Sequence, residues 1–212
     1  MKFVIKNIFK SFKKVEVVKN VSVEFTSGHI YGIVGRNGSG KSVFLKMLCA
    51  FYIPDSGTIL QDGEDYIKNN SFPKSTRALI EGPSFISNIS GFENLKLLAS
   101  IQNKISDKDI EKTLKDVNLY KEKDKKYSEY SLGMKQKLGI ASVIMEDPEC
   151  IILDEPFNGI DKESVKNIKN ILLDLKKKGK IIIITSHIDE DIKTLSDKIY
   201  EFDDGILSKN GK

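Results

Sequence analysis

The segment GRNGSGKS, residues 35–42, constrains this chain more than any other. It fits G-x-x-x-x-G-K-[ST], follows the apolar run HIYGIV and opens KSVFLKMLCAF, whose apolar residues recur at helical spacing. A strand, a Gly-rich turn and a helix in that order form a cradle for phosphates. The glycines admit positive φ and let backbone N–H groups wrap an anion, and the helix amino end adds partial positive charge. The candidate nucleotide-binding residues are Gly35, Arg36, Asn37, Gly38, Ser39, Gly40, Lys41, Ser42 and Val43. Lys41 is placed to reach the β- and γ-phosphates, and Ser42 to ligate Mg²⁺. A Gly-rich turn alone is an ordinary loop; Lys-Ser in register after a buried strand makes it a nucleotide cradle.

The rest of the chain reads as one α/β domain. FVIKNIF, VEVVKNVSVEF, GTILQDG and RALIE read as strands. The middle turns helical, in GFENLKLLASIQ, SDKDIEKTLKDVNL and SLGMKQKLGIASVIME. In the second of these Ser106 caps the start with Asp109 three residues on, and Ile110, Leu114 and Val117 share a face. CIILDE and KIIIITS read as buried strands, and IDEDIKTLS as a short helix. Between those strands DKESVKNIKNILLDLKKKG is a helix capped by Asp161 and ended by Gly179. Its buried side carries Val165, Ile168, Ile171, Leu172 and Leu175. DKIYEF and DGILSK close the chain as a hairpin-like pair. Buried strands separated by helices imply a mixed, partly parallel sheet with an inserted helical lobe.

Composition excludes several classes. The formal charge of +4 is mild, and the lysines are interleaved with acids, as in YKEKDKKYSE. Such mixtures are solvated helix faces, so no nucleic-acid partner is expected. Cys49 and Cys150 sit in apolar runs and read as buried free thiols, which suits a reducing compartment. MKFVIKNIFKSF is too polar for a signal peptide, and no apolar run approaches the ~18–20 residues that cross a bilayer. Any action at a membrane must use another chain.

Two further stretches carry candidate chemistry. A strand buried on both faces would put Asp154 and Glu155 at its carboxyl end, where ligands bind in such sheets. Asp154 is then placed to hold Mg²⁺, and Glu155 to orient or deprotonate water. His187 follows the next buried strand and emerges on the same edge, near a γ-phosphate. His29, on the opposite side, reads as structural.

GRNGSGKS, YSLGMKQ, IILDEP, NGID and TSH follow one another in an order and with separations that resemble the nucleotide-binding subunit of an ATP-binding-cassette (ABC) transporter. The resemblance covers essentially the whole chain and implies a P-loop NTPase core with an antiparallel β subdomain. The implied division is a core of about 1–84 and 148–212 with a helical lobe at about 85–147. YSLGMKQ matches the family's signature segment, commonly Leu-Ser-Gly-Gly-Gln, which completes the ATP site of a second subunit in a head-to-tail dimer. Ser131 and Gly133 stand at the matched positions; Tyr130, Leu132 and Met134 depart from the common form. Asp161, in NGID, matches the loop that crosses the dimer interface. An aromatic upstream of the cradle stacks on adenine in this family; Phe12 is the match and Phe9 the alternative. Glu81 stands where the family usually has the Gln that links Mg²⁺ to the membrane partner. With YSLGMKQ and ENL downstream, that Glu resembles the bacitracin and lantibiotic-immunity branch.

The resemblance therefore implies an ATPase motor subunit with catalytic Lys41, Glu155 and His187, a trans site of Ser131, Gly133 and Asp161, and Mg²⁺ ligands Ser42, Glu81 and Asp154. Its cofactors would be ATP and Mg²⁺. Its partners would be a separate transmembrane permease and a second ATPase chain, identical or related, at the cytoplasmic face of the membrane. The competing readings are an exporter ATPase for another substrate, a soluble ABC ATPase, and a small P-loop kinase. The last would not need YSLGMKQ.

Overall fold

A computed structural model describes residues 1–186 and 189–210. Its larger sheet has six strands: β3 (His29–Val34), β5 (Thr76–Leu79), β6 (Cys150–Asp154), β7 (Ile181–Ser186), β8 (Lys198–Asp203) and β9 (Ile206–Asn210), in the order β5-β6-β7-β3-β8-β9. All neighbouring pairs are parallel except the closing β8–β9 hairpin. CIILD and IIIITS are buried along their whole lengths, as central strands covered on both faces must be. A second, antiparallel sheet joins β1 (Lys2–Phe12), β2 (Val15–Thr26) and β4 (Ser56–Gln61) in the order β2-β1-β4.

The described residues also form six α-helices, α1 (Lys41–Leu48), α2 (Gly91–Gln102), α3 (Asp107–Asp116), α4 (Leu132–Ile144), α5 (Lys162–Lys177) and α6 (Asp189–Leu195), and two short 3-10 helices, Tyr120–Glu122 and Tyr127–Glu129. Two apolar clusters form the core. One packs α2 to α5 against one face of β6 and β7, and the other seats α1 between the two sheets, with Phe3, Phe25, Phe44 and Phe202. Cys49 and Cys150 are buried free thiols in the second cluster.

Helix ends follow local chemistry. The Ser106 N–H and hydroxyl both donate to Asp109, at 2.9 and 2.6 Å. Asp161 accepts from the Ser164 N–H at 2.9 Å, which caps α5 and holds its own carboxyl below the ordinary range. Helix α1 is shorter than the run KSVFLKMLCAF suggests. Ala50 turns left-handed at φ +59°, and the Phe51 N–H returns to Lys46 O at 2.9 Å. On α5, Ile168, Leu172 and Leu175 are buried, but Val165 and Ile171 are only half-buried at the margin of the core.

Candidate nucleotide site

β3 ends at Val34 and α1 begins at Lys41, so the Gly-rich turn lies at the carboxyl edge of the parallel sheet. Gly40 has φ +113°, and a Cβ there would lie 2.6 Å from Val17 O and 2.8 Å from the Phe202 ring. At Gly35 a Cβ would meet Phe202 O at 2.2 Å. Both glycines are therefore required by close approach of the turn to β2 and β8.

The turn borders a cavity of about 190 Å³ lined by Val17, Asn37, Gly38, Gly40, Lys41, Ser42, Val43, Asp154 and Glu155. Lys41 is buried, and its Nζ donates to Gly35 O at 2.7 Å and Arg36 O at 2.9 Å. Burial pushes its pKa below the ordinary lysine value, while Glu155 and Asp154 oppose that shift. Among the described residues, Ser39 Oγ in the same turn is buried without a hydrogen-bond partner.

β6 brings the acids to this edge. The Ser42 hydroxyl donates to Asp154 Oδ2 at 2.8 Å, and the Thr185 hydroxyl donates to Asp154 Oδ1. Glu155 follows in the left-handed region at φ +49°, its N–H donating to Thr185 O at 3.2 Å and Thr185 Oγ1 at 3.0 Å. Among the described residues no three His, Cys, Asp or Glu side chains converge into a closed metal cage. The Ser42 hydroxyl and one Asp154 carboxylate are hard oxygens, and they suit Mg²⁺, which is usually held by one or two side chains together with nucleotide phosphates.

Other sequence-derived residues lie off this cavity. Phe12 is 38% exposed and packs edge-on against Tyr52, with ring centroids 5.2 Å apart. Glu81 forms an ion pair with Lys46 of α1 at 2.5 Å and is not among the residues that line the cavity. Ser131 caps α4 by accepting from the Met134 N–H at 3.3 Å. Gly133 lies against Gly159, where a Cβ would be 2.7 Å from Gly159 O. His187 lies outside the described residues. His29 Nδ1 is 3.0 Å from Ser27 O, at the amino-terminal end of β3.

Sequence reasoning missed Thr185, which holds both Asp154 and Glu155, and Gln136, whose side chain reaches the carbonyls after β6. A Thr at the end of a buried strand gave a signal that could have been read. Gln136 within α4 gave none, because its partners are distant main-chain atoms.

A parallel sheet whose Gly-rich turn and helix start face a strand-terminal carboxylate pair defines a P-loop nucleotide hydrolase. This chain belongs to the ABC transporter family, whose pattern matches residues 18–158, and it is an ATP-hydrolysing cassette of that family. An uncharacterised ABC transporter ATP-binding protein of Bacillus subtilis, YybJ, is 43% identical over 97% of this chain and 94% of its own length. The bacitracin transport ATP-binding protein BcrA of Enterococcus faecalis is 40% identical over 98% of this chain and 68% of its own. The lantibiotic transport ATP-binding protein SrtF of Streptococcus pyogenes is 32% identical over 92% and 84%. In fold, the chain matches a dimeric ATP-binding cassette bound to ADP and Pi with a TM-score of 0.89, at 21% identity over 98% of this chain and 97% of that one.

Proposed function

We propose that this chain is the ATP-driven motor of an exporter that removes antimicrobial peptides of the bacitracin or lantibiotic type. Two such chains, identical or related, would pair head to tail and drive a separate membrane permease from its cytoplasmic face. The observation that carries the motor reading is the convergence of Lys41, Ser42, Asp154 and Glu155 on one cavity. The transport names of BcrA and SrtF support the substrate class. No helix among the described residues is long and apolar enough to cross a membrane, which fits a permease supplied by another chain. Leu97, Leu98 and Ile101 lie exposed on α2, and such an apolar face suits contact with that permease.

In this reading residues 1–84 and 148–212 form the hydrolytic core, and the lobe at about 85–147 carries the signature segment. Lys41 exchanges its loop carbonyls for phosphate oxygens, and Glu155 orients the attacking water. Bound Mg²⁺ supplies neutralisation of the phosphate charge near Ser42 and Asp154. Phe12 stacks on adenine. Ser131 accepts from Met134, so its own proton remains to donate to a γ-phosphate oxygen on the neighbouring chain. Gly133 admits that phosphate closely, and Asp161 orders the loop at the seam.

The test is the Glu155→Gln variant with ATP and Mg²⁺. Phosphate release is expected to fall about 100-fold or more, while light scattering shows ATP-dependent pairs. A variant that stays monomeric at high protein concentration, with its permease present, sinks the head-to-tail reading. Coexpression with the permease is expected to raise tolerance to bacitracin-type peptides; unchanged tolerance sinks the substrate assignment.

A further inference from the structure

Helix α4 starts at the signature segment, yet one of its side chains reaches back to the backbone turn that carries Glu155. Gln136 is buried, 5% exposed. Its Nε2 donates to Glu155 O at 3.3 Å and to Pro156 O at 3.2 Å. Glu155 itself is held at φ +49°, a conformation that a non-glycine residue keeps only where its surroundings enforce it. Thr185 fixes the amide side of that turn and Gln136 the carbonyl side.

A second contact lies one helical turn earlier on the same face of α4. A Cβ on Gly133 would stand 2.7 Å from Gly159 O, and one on Gly159 would stand 2.6 Å from Leu132 Cδ2. The segment 155–160 therefore contacts α4 at two levels. Gln136 does not line the phosphate cavity, so any effect on hydrolysis acts through Glu155.

We propose that Gln136 is a positioning residue that sets the Glu155 turn and ties it to the signature end of α4. The proposal rests on the reading of Glu155 as the group that orients water. It gives each chain a direct link between the segment offered to its neighbour and the carboxylate used on its own ATP.

The test compares Gln136→Met, which keeps the length and volume of the side chain but loses its donors, with Gln136→Glu, which keeps the shape and turns acceptors toward the two carbonyls. Each is assayed well below its melting midpoint, per mole of folded protein. The expected result is a kcat lower by roughly 10- to 100-fold, a share of the ~10²–10⁴-fold that a positioned base contributes. The ATP KM and the affinity for a fluorescent nucleotide should stay within about two-fold. In a Glu155→Gln background the Gln136→Met change should have no further effect on the residual rate. The inference is overturned by a kcat within two-fold of the parent in both variants. It is also overturned by losses of nucleotide affinity parallel to kcat, or by an equal loss in the Glu155→Gln background. Normal turnover by Glu155→Gln alone would instead overturn the assignment of Glu155, and this inference with it.

Discussion

The hydroxyl of Ser42 lies 2.8 Å from a carboxylate oxygen of Asp154, although 112 residues separate the two. Ser42 sits in the first turn of α1 and Asp154 at the end of β6. They meet because β3 and β6 both flank β7 in parallel register. Thr185, near the end of β7, fixes the other oxygen of Asp154. Asp154→Asn keeps the shape but removes the charge. It is expected to lower phosphate release about 100-fold and to raise the Mg²⁺ concentration needed for half-maximal rate. Removing Mg²⁺ with a chelator should stop the unmodified protein as well. A titration of rate against Mg²⁺ checks both outcomes.

Gly40→Ala tests the cradle. A Cβ there would lie 2.6 Å from Val17 O, in a backbone region with φ +113°. The expected cost is about 1–3 kcal/mol of stability together with loss of fluorescent-nucleotide binding. Urea unfolding and equilibrium binding measure the two effects separately. Gly38→Ala, with positive φ but open space around a Cβ, should lose less.

Ser131→Arg tests the proposed trans site. Ser131 lies off the cavity of its own chain, so binding of nucleotide to the monomer should stay within about two-fold. ATP-driven pairing and hydrolysis should both disappear, because a long cation would fill the space meant for a neighbour's phosphate. Light scattering and phosphate release read these outcomes. Surviving hydrolysis would remove Ser131 from the proposed site.

Lys46 and Glu81 form an ion pair with a partly exposed lysine and a largely exposed carboxylate. The hydrogen bond from Lys46 to Glu81 raises the lysine pKa, against the opposing effect of burial. Exposed pairs contribute about 0–1 kcal/mol, so Lys46→Met should move the thermal midpoint little. If Glu81 joins the Mg²⁺ site when nucleotide arrives, the same change should raise the affinity for Mn²⁺ with ADP by freeing the carboxylate. Electron paramagnetic resonance of bound Mn²⁺ reads that shift, and an unchanged affinity speaks against Glu81 as a ligand.

Tyr130, where the signature segment commonly has Leu, is buried and donates its hydroxyl to Glu122 O at 2.8 Å. Burial pushes its pKa up to about 12, with Glu122 and Asp124 adding to the shift. An unfolded phenol ionises near ~10. The contribution of Tyr130 is therefore complete below that pH and is lost as pH rises through about 12. Tyr130→Phe should cost about 1 kcal/mol at neutral pH and should flatten the alkaline decline in stability. Denaturant unfolding at a series of pH values, compared between the two proteins, checks the sign.

Much of the fold was legible because its signals are local. The 2-residue and 3.6-residue periods of apolar side chains marked most elements, and Ser106, Asp161 and Gly179 marked helix ends. The end of α1 was not legible, because KSVFLKMLCAF stays apolar through Phe51 while the backbone turns at Ala50. Val165 and Ile171 share the apolar face of α5, but only the packed neighbours decide that they lie at its margin.

The site divides in the same way. The spacing of GRNGSGKS by itself determined a phosphate cradle, since glycine freedom and a helix start are properties of a few consecutive residues. The pairing of Ser42 with Asp154, the grip of Thr185 and Gln136 on Glu155, and the hold of Lys46 on Glu81 were decided by the tertiary structure alone. Hydrogen bonds and ion pairs act over about 3 Å, and which distant residues come that close depends on how strands order themselves in a sheet.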